Sequence, residues 1–120
     1  MAEAAPSVAI LADDLIWASR LADAVAAAGG SPRRVRRAVD LAALVGAGTR
    51  LVVVDLTARA YDGIAAIDSS VGAGARVIAV GQHDDRALRG RALAAGAERV
   101  FAYRRLFESG AALLRTWLAT

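Results

Sequence analysis

Residues 51–56 read LVVVDL, an unbroken apolar run, largely β-branched, that stops at a carboxylate. β-Branched side chains are restricted about χ1 and fit the pleated surface of a sheet. A strand with one face in water alternates apolar and polar residues. A continuous run marks a strand covered on both faces. Covering both faces requires helices on either side, the arrangement of parallel strands joined by helical crossovers. The signature recurs along the chain. Residues 7–12 (SVAILA) run into Asp13-Asp14, residues 76–80 (RVIAV) stop at Gly81, and residues 99–103 (RVFAY) end on Tyr103. Residues 32–38 (PRRVRRA) are more polar and predict a strand at the sheet edge, where charge guards exposed backbone.

Between these runs the apolar period changes. Leu15, Leu21, Val25 and the intervening alanines recur at helical spacing until Gly29-Gly30. Asp40 is expected to cap a short helix over residues 40–48, ended by Gly46 and Gly48. A third helix runs from about residue 62 to residue 70, and Asp84 or Asp85 caps a fourth that ends at Gly96. A fifth, over about residues 106–118, places Phe107, Ala111, Leu114 and Leu118 on one face. Leu113 and Trp117 fall off that face, which predicts a second apolar surface on the last helix. Strand and helix alternate five times, so residues 1–120 are expected to form a single α/β domain with a doubly wound parallel sheet.

The bulk properties exclude several classes. The chain has 120 residues, enough for one core, and 57% of them are hydrophobic, which excludes a disordered chain. No apolar stretch is long enough to cross a bilayer. The N-terminal MAEAAPSVAI is acidic rather than basic, so no signal peptide is expected and a cytoplasmic location is. There is no cysteine, which removes disulfides and thiolate metal sites, and the single His83 removes multi-histidine ones. All 15 basic residues are arginine, and the net charge is +3. Arg33, Arg34, Arg36 and Arg37 form the one cluster. They could face an acidic partner or phosphates, but no helix-turn-helix or aromatic platform accompanies them. They are read as a protected edge, and no nucleic-acid partner is expected.

Chemistry concentrates at strand ends. Open α/β sheets place their sites beyond the carboxyl ends of the strands. There the sequence puts Asp13, Asp14 and Asp55. If the first and third strands are neighbours, three carboxylates converge. Such charges repel unless a hard divalent cation sits between them, and Mg²⁺ suits carboxylates, a carbonyl and waters. An aspartate beside Mg²⁺ can act as a nucleophile toward phosphorus. The plainer role for the same residues is in caps and turns, with Asp14 placed to cap the first helix.

Order and spacing carry a resemblance. Asp13-Asp14 is followed by Asp55, then by Asp62-Gly63 opening the third helix, then by Ala95-Gly96-Ala97 ahead of the fifth strand. In this the chain resembles the CheY-like response-regulator receiver family along essentially its whole length. The resemblance implies a flavodoxin-like (βα)5 fold with strand order 2-1-3-4-5. It also implies Asp55 as phospho-acceptor and Asp13, Asp14 and Asp55 as Mg²⁺ ligands, in a two-component phosphorelay. Two departures qualify it. The family's hydroxyl after the fourth strand is Gly81, and its Lys-Pro after the fifth is Tyr103-Arg104. The switch aromatic of the fifth strand falls at Val100. Gly81 has no hydroxyl to report a phosphoryl group, and Tyr103 is neutral and brings no cation. Phosphoryl transfer depends on positioning and electrostatics, so losing the cation should be severe. Arg104 lies one residue off, toward the other side of a regular strand.

The expected reading is an atypical receiver, or pseudo-receiver: a stand-alone module without enzymatic activity that acts in signal transduction through protein contacts. Residual phosphorylation of Asp55 stays open. So do a working phospho-receiver and a small-ligand-binding flavodoxin-like module. Trp17, Tyr103, Leu113 and Trp117 are the interface candidates. The expected partner is a histidine kinase, a regulator or a second copy docked on the fourth helix, fifth strand and fifth helix.

Overall fold

The apolar runs form the interior of a parallel sheet in the computed structural model, which describes residues 5–120. Its strands are β1 (Ser7–Leu11), β2 (Ser31–Val35), β3 (Leu51–Asp55), β4 (Arg76–Gly81) and β5 (Arg99–Ala102). Each is followed by a helix: α1 (Leu15–Ala27), α2 (Ala38–Gly46), α3 (Gly63–Gly72), α4 (Arg86–Ala94) and α5 (Tyr103–Leu118). All strand pairs are parallel, in the order β2-β1-β3-β4-β5. Val8 and Ile10 with Val53, Ile78, Val80 and Phe101 face α1 and α5. Ala9 and Leu11 with Val52, Val54, Val77 and Ala79 face α2, α3 and α4. A continuous apolar run on a period-two backbone thus supplies both cores at once. No helix among the described residues is long and apolar enough to cross a membrane.

Element boundaries depart from the sequence expectations where partners run out. β2 ends at Val35, whose carbonyl takes the last ladder bond, from the Ala12 amide at 3.1 Å. Beyond it β1 has turned away, so Arg36 and Arg37 leave the sheet. α2 then starts at Ala38 with Arg37 as N-cap and no side-chain cap, and Asp40 sits in the first turn, not at the cap. Asp85, not Asp84, caps α4 by accepting the Leu88 amide at 3.0 Å. Gly96 closes α4 with φ near +113° against Val71, whose methyls lie 3.0 Å from where a Cβ would stand. Both conditions require glycine.

The last helix differs most. β5 gives way to α5 at Tyr103, and Ser109 interrupts the helix (φ −141°, ψ 23°). Its buried residues are Leu106, Gly110, Leu114 and Trp117. Phe107, expected in the core, is 66% exposed, and Trp117, expected at an interface, is 5% exposed. Leu113 is half-buried against the same core. Apolar spacing selects the large side chains. It overlooks Gly110, whose missing Cβ lets α5 approach Ala24 of α1 within 3.3 Å of the ideal Cβ position.

Trp117 has a polar reason to be inside. Its indole N–H donates to Glu98 at 3.4 Å, and the Arg76 guanidinium lies 5.6 Å from its ring centroid. Arg76 also makes two bonds to Glu98, at 2.9 and 3.0 Å. The hydrogen bond from Arg76, more than the one from Trp117, holds the Glu98 carboxyl below the usual range against a smaller opposing desolvation. A carboxyl depressed in the folded state contributes stability that is fully present above its unfolded value, about 4.3. That stability is lost as pH falls through the lower folded value. Glu98→Gln should therefore lower the melting temperature at neutral pH and leave a smaller loss of melting temperature on acidification below about pH 4 than wild type shows. Parallel melting curves across that range check it.

Candidate functional site

The carboxyl ends of β1, β3, β4 and β5 bring Asp13, Asp14, Asp55, Gly81 and Tyr103 to one end of the sheet. Asp14 is the N-cap of α1, its carboxylate accepting the Trp17 amide at 3.0 Å. Asp13 reaches across to the loop after β3, where one carboxylate oxygen accepts the amides of Arg59 and Ala60, each at 3.1 Å. Asp55 closes β3 and is only 1% exposed. Its Oδ1 accepts the Thr57 amide at 3.0 Å, the Thr57 hydroxyl at 2.9 Å and the Tyr103 phenol. Thr57 Oγ1 and the Tyr103 hydroxyl also touch one another.

Tyr103 therefore does at Asp55 what a neutral donor can do. Burial, then the bond to Asp55, raises its phenol above the ordinary value against a smaller opposing effect of Thr57. The hydroxyl keeps its proton and remains a donor. Above it, Trp17 packs on the Tyr103 ring with centroids 4.2 Å apart and planes tilted by 37°. The Arg20 guanidinium continues the stack, 5.4 Å from the Trp17 ring and 4.7 Å from Phe107. Trp17, Tyr103 and Thr57 line an open cleft of about 660 Å³ with Asp13, Asp14 and Arg59. Asp55 is not among the residues that line it.

A second tyrosine holds the floor. The Tyr61 hydroxyl lies 2.9 Å from the Leu11 carbonyl and 2.6 Å from the Asp55 carbonyl, one proton shared between the ends of β1 and β3. Burial, then the nearby charges of Asp55 and Asp13, push this phenol above its ordinary value as well.

The three aspartates stand at one end of the sheet, where the resemblance implies the Mg²⁺ ligands. Among the described residues no three His, Cys, Asp or Glu side chains are grouped to hold a metal ion. One oxygen of each carboxylate is engaged by protein: Asp14 by a helix N-terminus, Asp13 by two loop amides, and Asp55 by Thr57 and Tyr103.

A Cβ on Gly81 would have ordinary room, 3.5 Å from a Leu56 methyl, so space does not explain the glycine. Val100 is buried in the core beneath α4. Arg104 lies in the first turn of α5, where Glu108 holds it at 3.1 Å, rather than beside the aspartates. Thr57 and Tyr61 belong to no motif that the sequence announces. The one usable signal is a hydroxyl two residues after a buried aspartate, a spacing at which local side-chain–backbone turns form.

No protein-family model matches the chain, and no curated protein matches it in sequence. Solved structures do. The receiver domain of the TMAO respiratory system response regulator TorR superposes with a TM-score of 0.82 at 16% identity, covering 94% of this chain and 96% of that one. The receiver domain of an HD domain-containing protein from Pseudomonas fluorescens Pf-5 gives 0.81 at 15% identity, over 97% and 88% of the two chains. A Burkholderia pseudomallei response regulator with a phosphorylated aspartic acid, a calcium ion and citrate gives 0.71 at 18% identity, over 95% and 73%. The chain has the receiver fold, as its motif order implied.

Tyr61→Phe removes the proton that joins two strand ends while keeping the ring. It should cost about 1–3 kcal/mol, because buried carbonyls lose a donor. Chemical denaturation of the two proteins measures the difference.

Proposed function

We propose that this chain is a signalling module of receiver architecture that works by docking a protein partner, without conventional phosphorylation switching. The observation that carries the reading is the Tyr103 phenol on Asp55 Oδ1. An aspartate attacks phosphorus through a free carboxylate oxygen approached in line, with positive charge gathered around the transferred group. Here the Asp55 side chain is 1% exposed, and its Oδ1 already takes three donors, among them the neutral phenol. A neutral phenol stands at the position where the resemblance implies a lysine. Gly81 offers no hydroxyl to follow a phosphoryl group. The arginine beside Tyr103 in sequence, Arg104, is engaged by Glu108.

Signalling through contacts is supported by what the fold leaves on its surface. Trp17 and Tyr103 are half-buried at the cleft, and Leu93 on α4 and Phe107 on α5 are exposed. A histidine kinase, a regulator or a second copy would dock on α4, β5 and α5. A cytoplasmic location goes with this reading. In it the aspartates and tyrosines serve to hold the loops rather than to turn over a substrate.

Incubation with acetyl phosphate and Mg²⁺, followed by intact mass measurement, tests this. The expected mass is that of the unmodified chain, in wild type and in Asp55→Asn alike. Gain of one phosphoryl group by wild type and none by Asp55→Asn would make this a working phospho-receiver and end the proposal.

A further inference from the structure

β2 carries a feature that the site does not use. It is an outer strand, paired only with β1 among the described residues. The Ser31 amide donates to the Pro6 carbonyl at 2.7 Å, and the Val35 carbonyl accepts from Ala12 at 3.1 Å. In a strand the N–H and C=O of one residue point to the same side, and the side alternates along the chain. Ser31, Arg33 and Val35 therefore face β1, and Pro32 and Arg34 turn outward. The open edge presents the carbonyls of Pro32 and Arg34 and the amide of Arg34. Pro32 sits where its missing N–H costs no ladder bond.

Arg33, Arg34, Arg36 and Arg37 are all exposed on this edge and on the turn into α2. Arg37 meets Asp40 at 3.6 Å in a solvated pair, and none of the other three meets an acid within salt-bridge distance among the described residues. These four charges exceed the net +3 of the whole chain, so the remainder carries a slight net negative charge.

We propose that the β2 edge docks an acidic polypeptide segment in extended conformation, added as a strand beside β2. An extended peptide supplies N–H groups for the two outward carbonyls and a carbonyl for the Arg34 amide. Its side chains alternate faces, so carboxylates on either face meet Arg33 on one side of the sheet and Arg34 on the other. A second copy of this edge is a poor occupant, since it sets arginine against arginine. A DNA strand is a poor one too. Its phosphodiester backbone has no donor for the carbonyls, and residues 31–46 contain no aromatic side chain for bases to stack on.

The test uses a short fluorescein-labelled peptide of alternating Thr and Glu, read by fluorescence anisotropy. The wild-type chain should bind it, more weakly as salt rises. The R33E/R34E variant, checked for native circular dichroism, should lose at least about tenfold in affinity. The same peptide N-methylated at every residue should lose as much, since neither of its edges then has an amide to offer β2. Undiminished binding by the variant would show that these arginines do not recognise the peptide. Undiminished binding of the N-methylated peptide would show that no strand is added. Tighter binding of a single-stranded DNA of equal charge would make the edge a phosphate surface. Any of the three overturns the proposal.

Discussion

Three strands of this protein have no face in water. β1, β3 and β4 lie in the middle of the sheet with helices on both sides, and nearly every side chain they carry is buried. That burial is the main favourable term in folding such a chain. It also limits what the strands can do at their ends. Backbone hydrogen bonds are satisfied within the ladder, so polar side chains appear only where the ladder stops. Asp13, Asp55 and Gly81 stand within two residues of where β1, β3 and β4 run out. The site is the rim of a water-excluding sheet, which is why one loop tyrosine can tie two strand ends together.

At that rim the carboxylates face a choice between a cation and protein donors. A cation gathers them into one cage and needs their oxygens free. Donors hold each carboxylate to its own place. Asp14 is taken by a helix N-terminus, Asp13 by two amides and Asp55 by Thr57 and Tyr103. The Tyr103 ring is long enough to reach Asp55 from the start of α5, and Trp17 covers it. The phenol, under the indole, fills the space over Asp55 Oδ1.

Charge elsewhere follows the same logic of edges. β5, the other outer strand, is followed at once by α5, whereas β2 runs into an arginine-rich turn. Positive charge on an open edge keeps like edges apart. The same property gives that edge a preference among partners.

The strands, the alternation and the positions of the key aspartates are readable from the sequence because period and run length report burial directly. Residues 51–56, LVVVDL, leave no polar alternation to weigh. The glycine at Gly96 is readable too, and its positive φ against Val71 supplies the reason. Direction is not readable. Whether Asp13 turns to loop amides or a cation depends on Arg59 and Ala60, and whether Trp117 faces outward depends on Glu98 and Arg76. All of these partners lie far along the chain. Local pattern suffices for the doubly covered parallel sheet and for which residues stand at its carboxyl edge, because both follow from the period and length of the apolar runs. That Tyr103 occupies Asp55 is settled only by folding, because a hydrogen bond between residues 48 positions apart exists only once β3 and the start of α5 are held at the same end of the sheet.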